Sequence, residues 1–170
     1  MVKYFKLLSE EFDESEFYYK DNQVAGSIGS YISITTYFLN IKYKGFLIEA
    51  TNELGNLNLG KISLGLNNNS IPEFKITAID HFTNLFLRRK KLLKVKCKNK
   101  FFLNALNEFT IHSNLEKITK ENSFEPNIFS LNERGNYHVK TVYSLQLEDK
   151  MGALRALICF YKLVIDDVKK

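Results

Sequence analysis

The sequence predicts a single α+β domain over residues 1–170, a largely antiparallel sheet packed by three or four helices and closed by a long C-terminal helix. Three observations predict it. Several segments rich in Ile, Thr, Tyr and Phe alternate apolar and polar residues with the period of a half-buried strand. Other segments carry apolar residues at helical spacing behind capping residues. With two Pro and eight Gly in 170 residues, no linker-rich stretch divides the chain, and the length suits one core.

Taken in order, Leu7 to Lys20 is acidic, with Phe12 and Phe17 among its charges. It reads as a short helix or irregular arm, making 1–25 an acidic N-terminal arm. Tyr31 to Tyr43 is a long strand, and Lys44-Gly45 supplies a turn in which glycine accepts positive φ. Phe46 to Thr51 returns as its hairpin partner. Leu57 to Leu66 is a third strand, with Ile62, Leu64 and Leu66 alternating against Lys61, Ser63 and Gly65. The Asn67–Ser70 stretch is a loop by composition.

Glu73 to Ile79 is another strand, after which Asp80 caps a helix carrying Phe82, Leu85, Phe86 and Arg89. Leu92 to Lys98 alternates again, and Asn99 caps a helix with the stripe Phe102, Ala105, Leu106 and Phe109. Residues Ile111 to Asn122 extend that helix and pass into a loop, stopped by Pro126. Ile128 to Leu131 and Tyr137 to Leu145 form a hairpin across Asn132–Asn136. Glu148 to Lys170 is the strongest helix, begun by Glu148 and Asp149; its Asp166 and Asp167 oppose the helix dipole.

The charge is unevenly spread. Arg88, Arg89, Lys90, Lys91, Lys94, Lys96, Lys98 and Lys100 fall within residues 88–100, which hold no acidic residue. The chain is +5 overall, yet outside this belt 16 basic residues stand against 19 acidic ones. On one strand face, Lys94, Lys96 and Lys98 stand about 7 Å apart, near the phosphate spacing of a nucleic-acid strand. Lysines also keep an edge strand from pairing with foreign strands, a role that needs no ligand and accounts for the belt at least as well.

Other chemistry finds little support. His81, His112 and His138 have no His or Cys at metal-ligand spacing. Glu10, Glu11, Asp13, Glu14 and Glu16 lack the glycine-turned order of a calcium loop and read as a solvated face, or as a partner for the belt. Gly26-Ser-Ile-Gly29 lacks the Lys-Ser/Thr of a phosphate loop and precedes a strand. Cys97 and Cys159 stand alone and read as small core residues. No cofactor and no metal are expected.

The longest apolar stretch, Met151 to Ile165, is interrupted by Arg155 and Lys162 and is too short to span a bilayer. The opening MVKYFKLLSEEFDE lacks the apolar run of a signal peptide, so the expected compartment is the cytoplasm.

The expected function is a non-enzymatic interaction module that docks a protein partner. The alternatives are polyanion or nucleic-acid binding through residues 88–100, and an enzyme whose site only the fold assembles. Met151, Leu154, Ile158, Tyr161 and Ile165 form an apolar stripe on a helix apolar nearly all round, and so mark a candidate homodimer interface.

Overall fold

Alternation becomes a sheet wherever one strand face finds cover. In a computed structural model, which describes residues 2–25, 29–66, 70–79 and 92–169, that cover lies on one side only. The chain runs through helix α1 (Val2–Ser9) and strands β1 (Ser15–Ala25), β2 (Tyr31–Tyr43), β3 (Phe46–Leu54), β4 (Leu59–Gly65), β5 (Phe74–Ala78) and β6 (Leu93–Cys97). Helices α2 (Lys100–His112) and α3 (Leu115–Asn122), strands β7 (Asn127–Glu133) and β8 (Asn136–Ser144), and helix α4 (Lys150–Val168) follow. The α+β class and the antiparallel sheet are as the sequence predicts.

The eight strands form one sheet in the order β1-β2-β3-β4-β8-β7-β5-β6. The first four make a meander. The chain then places β5 and β6 at the far edge, and the late hairpin β7–β8 fills the gap beside β4. The predicted Lys44-Gly45 turn has the positive φ pair that matches strand twist, 49° and 81°. The connection predicted across Asn132–Asn136 tightens to a two-residue turn of the same kind, Arg134 at 55° and Gly135 at 88°.

Register fixes what each face carries. One cross-strand row reads Phe17, Leu39, Ala50, Ile62, Thr141, Ile128, Ile76 and Val95 from edge to edge. Its six central members are buried, because this face holds the helices. Helix α4 lies over the sheet, contacting α1 as well as α2 and α3. The Tyr161 hydroxyl donates to the Ile62 carbonyl at 3.1 Å and shares a hydrogen bond with Thr141 at 2.9 Å, so the one polar residue of the central row is answered from above. Tyr143 donates to Asn52 Oδ1 at 2.7 Å. Its ring lies so close to Gly60 that any Cβ there would sit 2.1 Å from it, which makes glycine the only fit opposite that tyrosine.

Several expectations are corrected. Helix α4 begins at Lys150, because the Asp149 carboxylate accepts from Gly152 N at 2.7 Å as its N-cap. Leu154, Ile158, Tyr161 and Ile165 are at most 1% exposed within the single chain, and Met151 is half-buried. The apolar surround of α4 is thus consumed by sheet and flanking helices. Side chains without accessible surface have none to offer a second copy.

The N-terminal residues are not an irregular arm. Helix α1 buries Phe5 and Leu8, and β1 is an edge strand paired with β2. Residues 111–122 are not one extension: Asn114, at φ 61°, breaks the path and α3 starts anew. Cys97 packs partly buried against the core, but Cys159 is exposed on α4. The helix predicted after Asp80, with His81, lies outside the described residues.

Candidate functional site

The second face of the sheet carries no helix among the described residues, and no strand position pointing to it within β4 to β8 is fully buried. The row beside the buried one reads Glu16, Asn40, Glu49, Ser63, Lys140, Phe129, Lys75 and Lys96. It starts acidic and ends basic. The next row adds Lys61, Val142, Asn127, Thr77 and Lys94. Lysines from β4, β5, β6 and β8 therefore share one open face.

Their surroundings are poor in counter-charge. Lys140 pairs with Glu133 at 3.0 Å, and Glu73 stands just ahead of β5. Among the described residues, Lys61, Lys75, Lys94 and Lys96 make no ion pair. Lys75 and Lys96 are direct cross-strand partners. Like charges in that position repel, at a cost of roughly 0.2–1 kcal/mol. An open groove of about 800 Å³ runs beside them, with Lys75, Lys96, Lys98, Asn127, Phe129 and Leu131 among its walls.

The neighbouring elements hold these strands in place. Glu116 of α3 accepts from Leu92 N and, at 3.4 Å, from Leu93 N, fixing the entry of β6. Ser130 of β7 accepts from Phe74 N at 2.8 Å and donates to the Pro72 carbonyl at 3.2 Å, fixing the entry of β5. Phe129 is half-buried between Lys140 and Lys75. Asn127, two residues away on the same face, has a buried Oδ1 with no hydrogen-bond partner among the described residues.

Of the eight belt residues expected from sequence, Lys94 and Lys96 are exposed on this face and Lys98 follows, also exposed. Lys100 is exposed where α2 begins. Arg88, Arg89, Lys90 and Lys91 lie outside the described residues. Sequence reasoning missed Lys61, Lys75, Lys140 and Phe129. Each occupies a solvent-side position of an alternating strand, but only strand order shows that they are neighbours of Lys94 and Lys96.

The acidic cluster does not meet the described lysines of the belt. It lies at the β1 edge and they lie at the β6 edge, about seven strand spacings, roughly 33 Å, away. Glu11 instead binds the guanidinium of Arg155 on α4, at 2.9 Å from its Nε, and that hydrogen bond holds the Glu11 carboxyl below the usual carboxylate range.

No group of three metal-ligating side chains occurs among the described residues. His112 is exposed at the end of α2, and His138 is half-buried on the open face. Partial desolvation raises the Cys159 thiol, against the pull of Lys162, which is the direction opposite to thiolate activation. No helix among the described residues is long and apolar enough to cross a membrane. Comparison of the chain with protein-family models, curated proteins and solved structures finds no match.

Proposed function

We propose that the chain is a non-enzymatic interaction module that docks a polyanionic macromolecule on the open sheet face at β4, β8, β7, β5 and β6. The observation that carries this reading is the cross-strand pair Lys75–Lys96, two like charges side by side that make no ion pair among the described residues, although Glu73 lines the same groove. Such a pair opposes folding. It becomes favourable when an anion lies between the two ammonium groups. A local rule broken without compensation in the free molecule is a mark of a binding surface.

Edge protection accounts for Lys94 and Lys96 on β6, the outermost strand of the sheet. It does not account for Lys61, Lys75 and Lys140, which lie on interior strands. The basic surface therefore extends inward over the sheet, as a docking face does. Fluorescent heparin titrated at rising salt tests this. Binding is expected at low salt, weakening linearly in log–log form, and lost in the double variant Lys75→Glu, Lys96→Glu. No binding at low salt, or binding indifferent to those two changes, overturns it.

A further inference from the structure

We propose that the docked polyanion is a single-stranded nucleic acid, laid across β8, β7, β5 and β6 with a base against Phe129. This rests on the docking function proposed above. The residues in question are an aromatic ring, an unpartnered amide oxygen and lysines on either side of both.

Phe129 sits in the row Lys140, Phe129, Lys75, Lys96, with a lysine one strand away on each side. Adjacent strands are about 4.8 Å apart, so the three lysines span about 14 Å. A chain crossing the strands meets charge, ring, charge, charge in succession. Its first three members suit a base flanked by two phosphates, and the fourth adds charge for the next phosphate. The ring stands on the solvent side, where its apolar neighbours are Leu131 on the same strand and Val142 on the next.

Asn127 gives the second observation. Asn127 lines the groove with Phe129; its Oδ1 accepts nothing among the described residues and is buried in the free molecule, so a ligand reaches it only once the half-buried side chain turns outward. Two residues along one strand face are about 7 Å apart. An adenine, cytosine or guanine stacked on Phe129 carries exocyclic N–H groups at its edge that suit this acceptor when it is turned outward. A carboxylate side chain brings only further acceptors, so an acidic protein segment leaves Asn127 unanswered unless its backbone turns to it. A duplex meets the lysines but keeps its base faces stacked inside, out of reach of Phe129.

The test is fluorescence anisotropy with a labelled oligodeoxycytidine of about 12 nucleotides, whose bases carry an exocyclic amino group. Unlabelled heparin, a poly-glutamate peptide and a DNA duplex serve as competitors of matched charge. The single strand is expected to outcompete all three. Phe129→Ala is expected to weaken it by at least about fivefold while leaving heparin binding and the salt slope unchanged. Phe129→Leu, which keeps the apolar bulk and loses the π face, guards against a merely structural effect and is expected to weaken the single strand similarly. Poly-glutamate binding as tightly as the oligonucleotide, or a silent Phe129→Ala, overturns the nucleic-acid assignment and leaves polyanion docking standing. Failure of every polyanion, heparin included, overturns both.

Discussion

The open face of the sheet has two halves that differ in charge. Across β1, β2 and β3 it carries Glu16, Glu49 and Glu53 against Lys20 and Lys42. Across β4, β8, β7, β5 and β6 it carries five lysines, Lys61, Lys75, Lys94, Lys96 and Lys140, against Glu133, with Glu73 just ahead of β5. In the first half several side chains answer one another. Glu49 accepts from Ser63 at 3.3 Å, and Tyr18 stacks on Phe38 at 4.7 Å with Lys20 over both rings. In the second half, like charges face each other. Each half also holds a buried oxygen without a partner among the described residues, Glu53 Oε1 in the first and Asn127 Oδ1 in the second. What separates the halves is therefore charge, near balance in one and an excess of lysines in the other.

The contrast breaks most sharply under charge reversal. Lys75→Glu with Lys96→Glu is expected to weaken heparin binding by about a hundredfold at low salt. The matched pair Lys20→Glu with Lys42→Glu, on the other half, is expected to leave it within about twofold. Equal losses in the two double variants would erase the distinction between the halves.

The β4–β8 seam lies inside the basic half, and it tolerates no added atom at Gly60. Gly60→Ala drives a Cβ into the Tyr143 ring. It is expected to cost about 1–3 kcal/mol as overpacking, seen as a lower urea midpoint at unchanged slope. A substitution of that size without effect would mean that Tyr143 leaves the seam freely.

A smaller effect has the opposite sign. Lys75→Thr removes the repulsion with Lys96 and is expected to stabilise the free protein by roughly 0.2–1 kcal/mol, a gain that fades at high salt. The same variant is expected to bind heparin less tightly. Stability and binding moving together would remove the reason for regarding the pair as a docking feature.

The smallest effect concerns acid. Arg155 lowers the Glu11 pKa from its ordinary 4.5, so the unfolded chain takes up this proton first as pH falls. The stability contributed by the pair is therefore full above the ordinary value and is lost as pH falls through the lower folded value. Arg155→Gln is expected to remove that part of the acid dependence of the melting temperature. It leaves the lysine face untouched, because Glu11 lies at the other edge of the sheet.

Strand by strand, the chain determined its own local structure. Alternation in 31–43 and 59–65, the Lys44-Gly45 turn, the hairpin connection within 132–136, and the caps Asn99 and Asp149 depend on near neighbours, and near neighbours are what a sequence displays. Three of the eight belt residues were legible as one face for the same reason, since Lys94, Lys96 and Lys98 alternate within one segment. Which strands lie side by side was decided only by the tertiary structure, because pairing joins residues as distant as Ile62 and Thr141. That order set Lys140, Phe129 and Lys75 in one row with Lys96, and it put the acidic cluster at the opposite edge. It also gave α4 neighbours on both flanks, so an apolar surround that suggested a second copy became the core of one chain. Period-2 and period-3.6 patterns say which side of an element seeks cover. What supplies the cover, and what is left open, depends on the arrangement of the whole.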